Sequence, residues 1–179
     1  MRAFIFPGQG SQSVGMGKAL AEGSAEARAV FQEVDEVLGQ HLFRLMSEGP
    51  EDQLQLTENA QPAIMANAIA TLRVLEKEGG IRLADKADYV AGHSLGEYTA
   101  LCAAGAIDLA TTALLLKHRG LAMQAAVPVG VGAMAALLGA DIDKARTIAE
   151  AAAEGPAPEG GDKWVCTVAN DNDPSQVVI

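Results

Sequence analysis

The stretch Gly92-His93-Ser94-Leu95-Gly96 sets a serine between two glycines, each two residues away. It follows the apolar run Tyr89-Val90-Ala91 and precedes a small-residue helical stretch from Thr99 to Ala106. The expected context is strand, sharp turn, helix, and Gly-x-Ser-x-Gly in that setting reads as a nucleophile elbow. Ser94 at the apex must take strained backbone angles so that its hydroxyl projects. Side chains at 92 and 96 would collide with neighbouring backbone. The turn also puts the Leu95 amide at a helix start, where it can donate to a developing oxyanion with the positive end of the helix dipole behind it.

A second chemical candidate lies on the helix expected from about Leu109 to Ala126. At α-helical spacing, Thr112, Leu115, Leu116, Arg119, Ala122, Met123 and Ala126 share one stripe, with Lys117 and Gln124 opposite. Arg119 is thus expected in the middle of an apolar face. An unpaired guanidinium there costs on the order of several kcal/mol, so something anionic should meet it. The spacing leaves two partners open: an internal Asp or Glu, or a substrate carboxylate held bidentately.

The elements that must position these groups follow from periodicity and punctuation. Residues 2 to 6 read as a short apolar strand stopped by Pro7, followed by the loop Gly8-Gln9-Gly10-Ser11-Gln12. A dinucleotide fingerprint is excluded there. Ser13 holds the third glycine position, and Glu33 and Asp35 fall in a helical pattern rather than at a strand end. The loop is expected at the carboxyl edge of a sheet, beside a site. Ser24 caps a helix to about Leu38, ended by Gly39. Residues 40 to 58 read as irregular, with a Gly49-Pro50 break and a short helical turn after it. Pro62 suits the first turn of a long helix reaching Lys77 and closed by Gly79-Gly80. Residues 86 to 91 lead into the elbow. After Val127-Pro128 the pattern becomes strand (Gly132 to Leu138), helix (Asp141 to Ala153), Pro/Gly loop (Glu154 to Gly161), strand (Trp164 to Ala169), turn (Asp171-Asn172-Asp173-Pro174) and strand (Gln176 to Ile179). That β-α-β-β order resembles most of a ferredoxin-like unit. It divides the chain into residues 1–126 and 127–179.

Composition narrows the classes. Of 179 residues 49% are hydrophobic but only 4% aromatic, so Ala, Leu, Val and Gly must fill the core. Thirteen basic against twenty-three acidic residues leave a net charge of −10, which argues against a nucleic-acid partner. Cys102 and Cys166 stand alone, with no metal-ligand spacing around either, as expected in a reducing compartment. The apolar start is too short for a signal peptide, and no uncharged run reaches membrane length. A soluble, cytoplasmic protein with no membrane partner is expected. The sequence stops inside an apolar run, so an incomplete chain is expected as well.

Four segments together are similar to the malonyl-CoA:acyl carrier protein transacylase family. They are Phe6-Pro7-Gly8-Gln9-Gly10-Ser11-Gln12, Gln61-Pro62-Ala63, Gly92-His93-Ser94-Leu95-Gly96-Glu97-Tyr98, and Arg119-Gly120 with Met123-Gln124. The stretches Gly130-x-Gly132-Ala133-Met134-Ala135-Ala136 and Gln176-Val177-Val178-Ile179 fit too. The resemblance implies an α/β fold: a hydrolase-like parallel-sheet subdomain with an inserted ferredoxin-like subdomain, here incomplete at the C-terminus. It implies that Ser94 is the nucleophile that takes the malonyl group, that the Gln9 and Leu95 amides form the oxyanion hole, and that Arg119 holds the malonyl carboxylate. His93 and Gln61 line the pocket; His93 is not the expected base, because neighbours of an elbow serine point away from it. Asn170 and Asn172 resemble an asparagine-containing strand end near the site, though Asn in a turn is the alternative.

The family's general-base histidine lies beyond Ile179, and His41 and His118 are poor substitutes. General-base catalysis contributes roughly a hundred- to ten-thousandfold, so this stretch alone is expected to be poorly active. The implied partners are malonyl-CoA, CoA and acyl carrier protein, with no metal or cofactor, in a monomer when complete. Leu95 leans toward malonyl over methylmalonyl selection. Two rivals remain: a serine esterase or thioesterase, which needs the same elbow, and a non-catalytic, truncated acyl-carrier-binding fragment.

Overall fold

The computed structural model describes residues 1–127, 130–155 and 164–179, so most of the Pro/Gly loop expected over Glu154 to Gly161 lies outside the described residues. The chain divides into two compact units, Met1–Val127 and Pro128–Ile179.

In the first unit, β1 (Ala3–Phe6) pairs in parallel with β2 (Tyr89–Gly92), and the register sets Phe6 beside Gly92. Both strands therefore end at one edge, and the Pro7–Gln12 loop and the elbow emerge side by side. Helices fill most of the rest. After α1 (Lys18–Gly23), the Ser24 hydroxyl accepts from the Ala27 amide at 3.2 Å and opens α2 (Ala25–Leu38). The region read as irregular folds further than expected. It forms α3 (Leu42–Glu48) and α4 (Glu51–Gln55), because Leu42, Met46 and Leu54 are buried and the Asp35 carboxylate accepts from the Phe43 amide at 2.9 Å.

The long helix α5 (Thr57–Lys77) starts five residues before Pro62, and Pro62 sits in its second turn. Its opening turn is held by the Ala60 amide on the Leu56 carbonyl at 2.8 Å. Ala60, Ala63, Ala66 and Ala70 are buried along it, so neighbouring helices approach closely. A short α6 (Leu83–Lys86) leads to β2; then α7 (Leu95–Ala103) and α8 (Leu109–Ala126) follow. The core joins Val30, Phe31 and Val34 of α2 to Ile64, Met65 and Ile69 of α5, Leu95 of α7 and Leu116 of α8.

The second unit is a split β-α-β arrangement. β3 (Ala136–Leu138), α9 (Ile142–Ala153), β4 (Asn170–Asp173) and β5 (Gln176–Val178) follow in order, with β5 between β3 and β4 and antiparallel to both. Ala145, Ala149 and Val177 are buried in it. Two expectations fail here. Trp164–Ala169 is not a strand, and the segment read as a turn, through Asp173, is strand β4. Pairing with β5 overrides turn composition, and the turn moves to Pro174-Ser175, where the Ser175 amide donates to the Asp173 carboxylate at 2.6 Å. Asn170 and Asn172 thus lie on a strand, both exposed.

Candidate active site

The elbow forms as its glycines require. Ser94 has φ 55° and ψ −116°, and it is the one positive-φ residue other than glycine among the described residues. A β-carbon at Gly96 would stand 2.5 Å from the Phe6 carbonyl oxygen, and one at Gly92 would stand 2.8 Å from the Glu97 amide. Only glycine lets the turn close this tightly against the end of β1. The amides of Gly96 and Glu97 donate back to the His93 and Ser94 carbonyls at 2.9 and 3.2 Å. The Leu95 amide, first of α7, has no carbonyl partner among the described residues. Ser94 and His93 are exposed.

The Gly8–Gln12 loop lies against this turn: a β-carbon at Gly8 would be 3.3 Å from the His93 carbonyl oxygen. The loop is braced internally by the Ser11 hydroxyl on the Gly8 carbonyl (2.8 Å) and the Gly10 amide on the Gln12 side chain (2.8 Å). Gln12 in turn hydrogen bonds Gln55. The strand register and this contact bring the Gln9 and Leu95 segments to the same edge of the sheet.

Arg119 reaches the serine. Its Nη2 donates to Ser94 Oγ at 2.9 Å and its Nη1 to Gln61 Oε1 at 2.6 Å, while its Cζ stands 5.9 Å from the Tyr98 ring centroid. Among the described residues no carboxylate pairs with it, and the nearby Glu58 is 3.6 Å from Lys117 instead. Gln61 is fully buried; its Nε2 donates to Thr57 Oγ1 at 2.8 Å and to Met123 Sδ at 3.3 Å. The Thr57 hydroxyl completes the line by donating to Gln9 Oε1 at 3.1 Å. Gln9, Gln61, Ser94 and Arg119 are thus joined in one hydrogen-bonded chain, with Leu95 and His93 flanking the serine.

The stripe expected on α8 needs correcting. Leu109, Thr112, Ala113, Leu116 and Gly120 are its buried residues, whereas Leu115 and Met123 are exposed. Arg119 sits half-buried at the margin of the buried face, and Lys117, expected opposite, is half-buried against α5. Gly120 explains the shift. A β-carbon there would meet the backbone of Thr57 and Glu58, so α8 leans on the first turn of α5 at a residue that a hydrophobic pattern ignores.

Two site residues were missed in the sequence. Thr57 stands four residues before Gln61, on the same helix face, but a helix read from Pro62 leaves it outside. Tyr98 faces Arg119 from within the elbow heptapeptide, a role that nothing in its spacing signals. None of His41, His93 and His118 hydrogen bonds Ser94 among the described residues, and all three are exposed.

Chemically, the site presents an exposed serine on a strained turn, a free helix-start amide beside it, and a cation donating to the serine oxygen. Among the described residues the guanidinium spends only two donors, both on neutral acceptors, which leaves the rest for an anionic group beside the candidate nucleophile.

Known proteins match along the whole chain. The malonyl CoA-acyl carrier protein transacylase of Bacillus subtilis strain 168 is 45% identical over 177 residues, covering 99% of this chain and 52% of the relative. That of Escherichia coli K12 is 43% identical, covering 99% and 53%. The chain therefore spans about half the length of the curated relatives it matches. Among solved structures, the acyl-carrier-protein-S-malonyltransferase of Bartonella henselae superposes with a TM-score of 0.86 at 52% identity, over 99% of this chain and 54% of that one. A malonyl-transacylase in complex with a type II PKS acyl-carrier protein superposes at 0.82 and 39% identity, over 98% and 53%. An acyl transferase domain is matched over residues 3–178, and the chain belongs to that family of acyl transferase domains.

Proposed function

We infer that the protein carrying this chain transfers a malonyl group from malonyl-CoA to the phosphopantetheine thiol of acyl carrier protein, in the cytoplasm, as a step of fatty acid synthesis. The observation that carries this reading is Arg119. Its guanidinium lies 2.9 Å from the candidate nucleophile, is anchored by the neutral Gln61, and has no carboxylate partner among the described residues. A site for neutral acyl groups has no use for that charge, whereas a malonyl carboxylate supplies its missing anion. The relatives' names point the same way.

Ser94 Oγ attacks the thioester carbonyl carbon and passes its proton to a general base. The oxyanion is held by the Gln9 and Leu95 amides until the C–S bond breaks and CoA leaves as the thiol. The carrier's thiol then gives its proton to the same base and attacks the Ser94 ester, and that proton passes to Ser94 Oγ as the ester bond breaks. No electron is gained or lost, so the transfer as proposed needs no redox cofactor; no metal is proposed either, because the Gln9 and Leu95 amides take the oxyanion charge. Since no histidine here bonds Ser94, the base is proposed to lie in the part of the relatives' length that this chain does not span. Residues 1–126 are proposed as part of a hydrolase-like subdomain and 127–179 as part of an inserted ferredoxin-like one; the split β-α-β order supports the second assignment.

The test is intact mass before and after brief incubation of the full-length protein with malonyl-CoA. A malonyl adduct is expected, absent in Ser94→Ala. Arg119→Ala should lower malonyl loading by roughly ten- to a hundredfold, the worth of a charge-assisted contact, while sparing acetyl loading. Equal losses for both acyl groups would favour an esterase or thioesterase.

A further inference from the structure

We propose that Thr57 is a positioning residue for the malonyl carboxylate, an inference that rests on the malonyl-transfer reading. The argument starts at Arg119, which can only donate. Its Nη1 at 2.6 Å obliges Gln61 to present Oε1, so the Gln61 NH2 group must face the other way, onto Thr57 Oγ1 at 2.8 Å. The Thr57 oxygen thereby accepts, and its own hydrogen goes to Gln9 Oε1 at 3.1 Å. The polarity of the whole line is fixed from one end. Gln61 is fully buried, and among the described residues its only other partner on that side is the thioether of Met123 at 3.3 Å, a weak acceptor. Arg119 thus sets which way the carboxamide faces, and the Thr57 hydroxyl gives its buried NH2 group a strong acceptor that holds it in that place. Its bond to the Gln9 side chain is one of several that hold that loop, beside Ser11 on Gly8, Gly10 on Gln12 and Gln12 on Gln55, so losing it leaves the candidate oxyanion amide in place.

Thr57 does not touch the reacting atoms; it acts through Gln61. Losing it should affect how the carboxylate is held more than how fast the ester forms. Thr57→Val keeps the branched shape and removes both hydrogen bonds, and Thr57→Ser keeps the hydroxyl. In the full-length protein, Thr57→Val should raise KM for malonyl-CoA roughly five- to tenfold, the worth of one uncharged hydrogen bond left unmade in a buried place. Its kcat and its acetyl-CoA loading should stay within about twofold of wild type, as expected for lost ground-state binding. Thr57→Ser should restore KM. A Thr57→Val enzyme with unchanged KM, a Thr57→Ser enzyme as impaired as Thr57→Val, or equal damage to malonyl and acetyl loading would each overturn the proposal. Wild-type protein that loads no malonyl group would instead overturn the functional reading itself, and this inference with it. Active wild type beside an indifferent Thr57→Val overturns Thr57 alone.

Discussion

Gly120→Ala tests whether helix packing sets substrate choice. A β-carbon at position 120 would lie 2.8 Å from Thr57 O and from Glu58 N, and closer still to Glu58 Cα. Ordinary contact begins at 3.4 Å, a shortfall of at least 0.6 Å against rigid backbone. One helix must retreat. Overpacking of this kind costs about 1–3 kcal/mol, and the better helix propensity of Ala offsets up to about 1 kcal/mol of it. The net loss, up to about 2 kcal/mol where that offset is complete, corresponds to a Tm lower by up to roughly 8 °C for a chain of this size and by less in the longer full-length protein. The same retreat carries Arg119 away from Gln61. Adding at least 0.6 Å to their 2.6 Å contact gives 3.2 Å or more, at or beyond the long end of the N–H···O range. Malonyl loading should therefore fall by roughly tenfold, a large part of a charge-assisted hydrogen bond, while acetyl loading is spared. Thermal melts and paired loading assays on the full-length protein read both effects. A variant with wild-type Tm and an intact malonyl-to-acetyl ratio would refute the claim that α8 is seated on α5 through this glycine.

Ser94→Gly should be more stable than Ser94→Ala by about 1 kcal/mol, because φ 55° with ψ −116° strains any residue that carries a β-carbon. Coincident urea midpoints would show that the elbow stores no strain. Asp35 offers a pH test: burial pushes its carboxyl pKa up, more than the Phe43 and Leu42 amides pull it down. The native state then holds that proton more tightly than the unfolded chain, so the contribution is present below the unfolded pKa and is lost as pH rises through the folded one. Asp35→Asn keeps an acceptor for Phe43 N–H and should flatten the decline in urea midpoint just above the ordinary carboxylate range; a decline as steep as wild type would acquit Asp35.

The elbow was legible in the sequence because its requirements are local. Two glycines, a strand before and a helix after all lie between Tyr89 and Ala103, and the turn they predict is the turn that forms. Arg119 was legible by type but not by face. The exposed Leu114, Leu115, Leu121 and Met123 (42, 42, 45 and 43% accessible) make α8 apolar nearly all round, so periodicity could not choose the buried side. Non-local contacts chose it. The start of α5 was hidden for a related reason: Pro62 is the strongest local signal for a first helical turn, yet the turn before it is stabilised by Gly120 of α8 and by Lys117, which bonds Asn59 and pairs with Glu58. In the second unit, Asn170–Asp173 has the composition of a turn and the pairing of a strand, and cross-strand bonding decides.

These outcomes share a cause that bears on function. The chemistry-bearing side chains come from four stretches of chain, around Gln9, Gln61, Ser94 and Arg119, and the distances between them are set by backbone lying against backbone. Gly96 lets the elbow touch the end of β1, which fixes Ser94 relative to the Gln9 loop. Gly120 lets α8 touch α5, which fixes Arg119 relative to Gln61. A side-chain contact in a core can relax when a neighbour changes rotamer; a carbonyl 2.5 Å from where a β-carbon would stand cannot. The two glycines therefore act on different parts of the proposed reaction. Strain at 96 displaces the candidate nucleophile and the candidate oxyanion amides together and should depress every acyl substrate, whereas strain at 120 displaces the cation alone and should depress only those that carry a carboxylate.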